Sequence, residues 1–398
     1  MDDCTGGTGT AFSVSMDRSN PSGRVYGFDL LRAAAITLVL LCHVMLLMRY
    51  YFKPLTGWSV MAGYFGVELF FVLSGFLIGG ILIRDFSAAT DGQTLLRFWS
   101  RRWLRTLPLF FLFLAINVAI NLSLGAPAVA WWRHVLFIQN FTSAPAPFFG
   151  EAWSLAVEEW FYLLAPALVF AAAKMGLSVK KAVLSVAIGG IFCATAWRMH
   201  VVATGNPDWL KGVRSVVTLR LDACMFGVLA AWWKHYAHTS WNAWSRGKLV
   251  GGILCLLGAA TMFRLLPLDA SFAGRTHLFT LTSLGTMLCL PALAAMRAPR
   301  GKFAMGVTLT SKWSYAMYLV NFPIFMWLAR ESGLGLFEPS TAAIAAATAV
   351  LLTVVAAAAL HYFYETPILR WRDRRVGAHA IPIAVPEVQT AAALSVAA

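Results

Sequence analysis

The chain has 398 residues, of which 59% are apolar and only 13% are charged, and its formal net charge is +14. In soluble proteins roughly a quarter of all residues are charged, so this composition excludes a soluble globular protein as well as a disordered or disulfide-rich one. A polytopic membrane protein remains, and the many aromatic residues fit it because Trp and Tyr collect at membrane interfaces. The positive charge then reflects membrane insertion, and no nucleic-acid partner is expected.

Long apolar segments recur along the chain, and each approaches the roughly 20 residues that a helix needs to cross a bilayer. A backbone in lipid must satisfy its own hydrogen bonds, so these segments are predicted to be helices. The ten predicted spans are 28–48, 63–83, 104–124, 153–173, 181–201, 215–233, 248–266, 276–296, 314–330 and 341–363. The sequence therefore predicts an all-α membrane protein with about ten transmembrane helices.

Basic residues are distributed unevenly between the two sides that these spans define. With the N-terminus inside and residues at span ends counted with the nearer side, 21 of the 32 Lys and Arg residues fall on the cytoplasmic side, nine on the opposite side, and two, Arg32 and Arg220, within spans. This bias predicts that both termini are cytoplasmic.

No cleavable signal peptide is expected. The predicted organisation is a mobile tail over 1–25, one membrane domain over 26–372, and a second mobile tail over 373–398.

The first span contains three ionisable residues, Asp29, Arg32 and His43. Charged groups within spans are costly, so they mark candidate functional positions. Arg32 and His43 are 11 residues apart, which on a helix separates them by about 20° around the axis and about 16 Å along it. That spacing suits a long substrate with an anionic end at Arg32 and a reacting end at His43. The alternative is a structural His beside an Arg that extends to the membrane surface.

Further polar residues lie within the other predicted spans. They are Glu68 and Ser74 in the second span, Glu158 and Glu159 in the fourth, Arg220 and Asp222 in the sixth, and Asn321 in the ninth. Glu158 and Glu159 point about 100° apart, so at most one of them can face the same interior as His43. Glu68 needs a cation on a neighbouring helix, and Arg220 and Asp222 are each expected to pair with another helix.

Motifs of soluble enzymes and metal sites are missing from the sequence. There is no GxSxG, P-loop or HExxH pattern. The six Cys residues form no CxxC pair and are read as buried apolar residues, and no metal is expected. His43 is the one His placed deep in a span, whereas His134 is expected in a solvated loop.

Seven motifs in chain order resemble those of one known family. They read GFDLLRAAAITLVLLCH, GYFGVELFFVLSGFLI, FWSRRWLRTLPLFF, AWSLAVEEWFYLLAP, TLRLDACMFG, SYAMYLVNFP and YETPILR. In this order they resemble the acyltransferase-3 family of membrane proteins, from about Tyr26 to Arg372. The resemblance implies a multi-pass enzyme of a bacterial inner (plasma) membrane that moves an acyl group, often acetyl from acetyl-CoA, onto a sugar or other hydroxyl-bearing acceptor.

The resemblance also implies roles for individual residues. Arg32 and His43 match the family's paired functional residues, and Glu158 matches the acidic residue of the fourth-span motif. His43 is expected to act as the base, since His titrates near neutrality, with Glu158 orienting it. Asn321 stands where many members have His. The arginines at the start of the third helix are expected to lie in water and to bind the nucleotide end of an acyl-CoA donor; they are Arg97, Arg101, Arg102 and Arg105.

Two other classes of function are compatible with intramembrane charges. A transporter or flippase of an acyl or sugar intermediate also places Arg, His and Glu within spans, although the internal repeat that such proteins often have is not found here. A membrane scaffold gives no account of Arg32 and His43 on one helix face. For an acyltransferase the acceptor stays open between exopolysaccharide, lipopolysaccharide, a lipid-linked sugar and a small secondary metabolite, and the sequence does not indicate an oligomeric state.

Overall fold

The computed structural model describes residues 24–48, 55–125, 129–145, 148–331 and 339–376. Within these ranges the chain is helical and contains no β-strand. The prediction of an all-α membrane protein is therefore confirmed. Most of the predicted tails, 1–25 and 373–398, falls outside the described residues, so the predicted organisation into one membrane domain and two mobile tails stays a prediction.

The described residues form a series of α-helices. In chain order these helices are α1 (Tyr26–Met48), α2 (Leu55–Ala88), α3 (Gly92–Ser123), α4 (Trp132–Val135), α5 (Ala152–Lys174), α6 (Val179–Gly205), α7 (Leu221–Tyr236), α8 (His238–Asn242), α9 (Ser245–Leu265), α10 (Phe272–Ala294), α11 (Lys302–Glu331), α12 (Pro339–Leu360) and α13 (Thr366–Val376). Two π-helical turns, Trp209–Arg214 and His361–Glu365, and one 3₁₀ turn, Val217–Leu219, complete the helical part.

Eight helical segments of the described chain are long and apolar enough to cross a membrane. They are α1, α2, α3, α5, α6, α9, α10 and the continuous stretch Ser340–Val376. The sixth predicted span, 215–233, begins too early, because the 3₁₀ turn precedes α7 and leaves that helix only 16 residues. The count of ten spans and the cytoplasmic placement of both termini stay predictions.

α2 lies at the centre of the bundle and packs most closely on α1 and α7. Its contact with α7 depends on glycine, since a Cβ at Gly75 would lie 1.8 Å from the carbonyl oxygen of Cys224. From the other side, a Cβ at Gly227 would lie 2.1 Å from the carbonyl oxygen of Val72. Small residues let two backbones touch, as the sequence predicts for Gly75.

α11 packs against α1 and α12, and a proline interrupts its hydrogen bonding. Pro323 has no N–H, so it cannot donate to the carbonyl one turn earlier. Just before it, the Asn321 side chain donates to the carbonyl oxygens of Met317 and Tyr318, both at 2.7 Å. The side-chain amide thus binds two carbonyl groups of the preceding turn of α11, next to the proline.

Candidate active site

Arg32 near the start of α1 is held by a buried carboxylate and a hydroxyl. Its Nη1 donates to Ser311 Oγ at 3.0 Å and lies 3.5 Å from Asp29 Oδ1. Ser311 Oγ donates to the same Asp29 oxygen at 2.7 Å, and Arg24 Nη2 contacts it at 2.5 Å. The Arg32 side chain still keeps 20% of its surface accessible. The guanidinium is therefore oriented by the protein yet open to an anionic or carbonyl group of a ligand.

A second polar group lies between α2, α3 and α5. Arg102 donates to the hydroxyl of Tyr162, and its guanidinium carbon lies 3.8 Å from the centroid of that ring. The Tyr162 hydroxyl is 2.8 Å from Ser74 Oγ, and Glu158 interacts with Arg102, Ser74 and Tyr162. Arg32 is within electrostatic reach of Arg102 and Tyr162. These five residues, Arg32, Ser74, Arg102, Glu158 and Tyr162, form one arginine–tyrosine cluster.

Part of the cluster is accessible. Ser74 is partly accessible although Leu73 and Gly75, its neighbours on the central helix, are buried. Arg102 and Glu158 are partly accessible as well. These three side chains therefore differ from the buried core residues around them.

The four arginines at the start of α3 do not form one group in water. Arg101 is buried and pairs with Asp373 of α13 at 3.2 Å, whereas Arg102 turns into the cluster. Only Arg97 and Arg105 are exposed. The expectation that all four lie in water is wrong for Arg101 and Arg102, because successive helical residues point about 100° apart.

His43 lies near the other end of α1 and contacts α11. Its ring centroid is 5.3 Å from that of Phe322 and 5.8 Å from that of Phe325. Asn321 is the polar side chain that interacts with the imidazole. Within the described part of the chain, His43 Nδ1 and Asn321 Oδ1 are both buried without a hydrogen bond of normal geometry. The imidazole is partly accessible, so it is packed in place while retaining hydrogen-bonding capacity for a substrate.

Glu158 does not orient His43, contrary to the expectation from the sequence. No hydrogen bond or ion pair joins these two residues in the described structure, and the interacting partners of Glu158 are Arg102, Ser74 and Tyr162. Its neighbour Glu159 points elsewhere and accepts a hydrogen bond from Thr106 at 2.8 Å. The position next to His43 belongs to Asn321 of α11.

Two fully buried ion pairs account for most of the remaining charged candidates. Glu68 Oε1 lies 2.5 Å from Arg220 Nη2, and Asp222 Oδ2 lies 2.8 Å from Arg198 Nη2. Arg198 also donates to the carbonyl of Leu219 at 2.7 Å. As the sequence predicts, Arg220 and Asp222 have separate partners on other helices. All four charged side chains are fully inaccessible, so they act as structural ties between α2, α6 and α7.

The structure adds site residues that the sequence analysis did not single out. Tyr162 lies four residues after Glu158, and this i,i+4 spacing on one helix face could have identified it. Glu151 lies in the turn before α5 and Arg214 at the end of a π-helical turn, where the α-helical period does not predict a side chain's direction. His134, expected in solvent, is only 2% exposed, and burial lowers the pKa of its imidazole below the usual value.

The arrangement provides two chemical functions along one face of α1. Guanidinium groups at one end can hold an anionic or polar part of a ligand, and an imidazole about 16 Å further along can accept a proton. Among the described residues, no three His, Cys, Asp or Glu side chains form a group that could hold a metal ion. The ligand that this geometry fits is long and carries its reactive end away from its charged end.

Comparisons with known proteins agree with this geometry. The chain resembles the peptidoglycan O-acetyltransferase OatA of Listeria monocytogenes, with 30% identity over 211 residues that make up 48% of this chain and 32% of that protein. It also resembles the O-acetyltransferase OatA of Staphylococcus aureus, with 30% identity over 161 residues that make up 36% of this chain and 24% of that protein. The matches thus span a third or less of these relatives' length.

No solved structure matches the chain. A family model described as an acyltransferase domain, that of the acyltransferase-3 family, matches residues 25–362. The match includes Arg32, His43 and the whole arginine–tyrosine cluster. The chain therefore belongs to the acyltransferase-3 family.

Proposed function

We propose that this chain transfers an acetyl group from an acyl-CoA donor to a hydroxyl group of a glycan, in a bacterial inner (plasma) membrane. The observation that carries the proposal is the placement of Arg32 and His43 on one face of α1, with the arginine–tyrosine cluster at one end and the Asn321 contact at the other. The names of the relatives support acetyl as the group and a glycan as the acceptor.

The donor lies along α1 in this proposal. CoA carries phosphate groups, for which Arg is well suited because its planar guanidinium forms paired hydrogen bonds with oxyanions. Arg97 and Arg105 are exposed near the end of the bundle where Arg24 and Asp29 lie, and they attract the nucleotide. Arg32 and Arg102 hold the donor further inside, with Glu158 and Tyr162 keeping Arg102 in position. The thioester then lies near His43.

His43 serves as the general base in the proposed reaction. The acceptor hydroxyl gives its proton to the imidazole while its oxygen attacks the thioester carbonyl. The carbon–sulfur bond then breaks, and the CoA thiolate takes the proton back from the imidazolium, so the products are an acetyl ester and free CoA thiol. Asn321 of α11 interacts with the imidazole and keeps it in place. The rings of Phe322 and Phe325, which pack on the imidazole, restrict its motion.

Acetyl-CoA turnover by the purified protein in detergent tests this proposal. Wild type is expected to release CoA thiol and to label an added glycan with acetyl. His43→Ala should reduce this turnover by at least about 100-fold, the lower end of what a positioned base contributes. His235→Ala is the matched control, because His235 is exposed at the end of α7. A transporter would bind acetyl-CoA without cleaving it, so absence of cleavage by wild type contradicts the proposal.

A further inference from the structure

Glu151, immediately before α5, is a buried carboxylate without a partner. The residue is 7% exposed, and neither Oε1 nor Oε2 has a hydrogen-bond partner among the described residues. Other buried carboxylates differ in this respect, since Glu68 is bound to Arg220 and Glu159 to Thr106. Leaving a buried polar group unsatisfied is costly, so such a group calls for a functional explanation.

The loop that carries Glu151 has a strained and well-packed backbone. Phe149 adopts a φ of 48°, in the left-handed region that bulky residues avoid. Its ring lies 5.4 Å from that of Phe110 in a stacked arrangement, and the Phe148 ring lies 5.0 Å from that of His134. The aromatic packing holds this unfavourable backbone conformation, and such conformations occur most often at functional sites. The position of Glu151 is therefore fixed before any ligand binds.

This loop lies beside the His43 end of the bundle. A Cβ at Gly150 would lie 3.3 Å from the Phe322 ring, and that ring in turn packs on His43. The hydroxyl of Tyr318, one turn earlier on α11, donates to the carbonyl oxygen of Glu151 at 3.2 Å. Ser154 Oγ donates to the same carbonyl oxygen at 3.3 Å. Glu151 is thus tied to the part of α11 that holds the proposed base.

Arg214 lies within electrostatic reach of Tyr318 and of the Glu68 carboxylate, but it forms no ion pair at contact distance among the described residues. Its Nη2 donates to the carbonyl oxygen of Gly63 at 3.0 Å, and its guanidinium carbon lies 4.6 Å from the centroid of a Trp153 ring. Tyr318 is within electrostatic reach of both Glu151 and Arg214. A buried carboxyl and a guanidinium thus lie within reach of one tyrosine, and no ion pair joins them among the described residues.

We propose that Glu151 is the acceptor-recognition residue of a subsite for a hydroxyl-rich glycan unit, bounded by Glu151, Trp153, Tyr318 and Arg214; this rests on the proposed function. The Glu151 carboxyl exchanges hydrogen bonds with neighbouring sugar hydroxyls, and Arg214 donates to a carbonyl or carboxylate of the same unit. The aromatic rings of Trp153 and Tyr318 supply the apolar contact that a sugar ring needs. The acceptor then reaches His43 from the end of the bundle opposite Arg32.

Kinetics that separate the donor and acceptor halves of the reaction test this subsite. The probes are acetyl-CoA alone, whose slow hydrolysis reports the donor half, and acetyl-CoA with soluble peptidoglycan oligosaccharides, which report transfer. Glu151→Gln keeps the shape of the side chain but replaces one oxygen by an amide nitrogen that cannot accept a hydrogen bond, so the KM for the oligosaccharide should rise at least about tenfold while acetyl-CoA hydrolysis stays unchanged. The KM of Glu151→Asp for the oligosaccharide should lie between those of wild type and Glu151→Gln. Asp208→Asn is the matched control, because Asp208 is exposed in a loop outside the subsite.

The outcomes distinguish this inference from the proposed function. If wild type hydrolyses acetyl-CoA but Glu151→Gln transfers to the oligosaccharide with a wild-type KM, the subsite is wrong. If the folded variant also loses hydrolysis, Glu151 acts on the donor and the subsite is wrong again. If wild type hydrolyses acetyl-CoA and the oligosaccharide changes nothing, the glycan class is wrong. Failure of wild type to hydrolyse acetyl-CoA rejects the proposed function itself.

Discussion

Glu68 in the middle of α2 and Arg220 in the turn before α7 form an ion pair with 2.5 Å between Oε1 and Nη2 and no accessible surface on either side chain. Arg220 also lies 4.0 Å from the centroid of the Phe279 ring. The pair joins two elements whose backbones already touch at Gly75 and Gly227. The position of α2, which carries Ser74 of the cluster, depends on this contact.

Breaking this pair should affect stability more than chemistry. Glu68→Gln leaves Arg220 buried without its countercharge and should destabilise the fold by about 3–5 kcal/mol. The measurement is thermal unfolding in detergent, together with acetyl-CoA turnover for each folded molecule. The double variant Glu68→Leu with Arg220→Met removes both charges and should cost less than Glu68→Gln alone. A stable Glu68→Gln protein that has lost turnover would instead place Glu68 in the reaction.

Arg32→Lys should impair donor use although it keeps the positive charge. Lys has no planar fork, so it cannot form the paired hydrogen bonds that a guanidinium makes with an oxyanion or carbonyl group. The kcat/KM for acetyl-CoA should fall about 10- to 100-fold, which corresponds to about 1.4–2.8 kcal/mol of lost transition-state binding. Arg24→Lys is the control, since Arg24 contacts the same Asp29 but is more exposed. Wild-type kinetics for Arg32→Lys would exclude Arg32 from the donor path.

The arginines of α3 should separate into two kinetic classes. Arg102→Lys loses the hydrogen bond to Tyr162, and kcat/KM should fall at least about tenfold at low and at high salt, because partly buried interactions are screened little. Arg97→Lys changes an exposed side chain and should be nearly silent. Steady-state acetyl-CoA kinetics at two ionic strengths measure both. Equal effects of the two substitutions would contradict the separation that the structure indicates.

The pH dependence of stability should reveal the raised pKa of the buried Glu151 carboxyl. Burial raises the pKa of its carboxyl to about 8 from the usual 4.5, so the native state binds more protons than the unfolded state between these values. Stability from this group is therefore present at low pH and is lost as pH rises towards about 8, by about 1.4 kcal/mol for each pH unit. Gln does not titrate, so Glu151→Gln should be increasingly more stable than wild type between pH 5 and pH 9 in thermal unfolding.

Asp91, which precedes α3, provides a control whose stability contribution should change with pH in the opposite direction. The backbone N–H of Thr94 bonds to its side chain at 2.7 Å and lowers the pKa of that carboxyl. Asp91 therefore contributes stability above its unfolded pKa and loses it as pH falls. Asp91→Asn should be destabilising at pH 7, with a deficit that shrinks in acid. If the stability difference from wild type changed with pH in the same direction for Asp91→Asn and Glu151→Gln, the assigned environment of Glu151 would be contradicted.

Several properties of this protein follow from its sequence alone. Apolar run length and composition are local, so they predicted the all-helical membrane class and most helices, including α1 within two residues of its observed start. The fixed geometry of a helix placed Arg32 and His43 on one face. Seven ordered motifs predicted the acyltransferase-3 family, which the family model confirms.

Only the tertiary structure decided which side chains meet. Glu158 joins Arg102 instead of His43, Asn321 takes the place beside His43, and Arg101 is buried against Asp373. These contacts join different helices, so they depend on how far each helix is rotated and shifted against its neighbours. Contacts that no periodicity encodes set those shifts, such as Gly75 against the backbone of Cys224. Loop residues such as Glu151 are still less predictable, because strained turns and aromatic packing, not helical periodicity, determine where they lie.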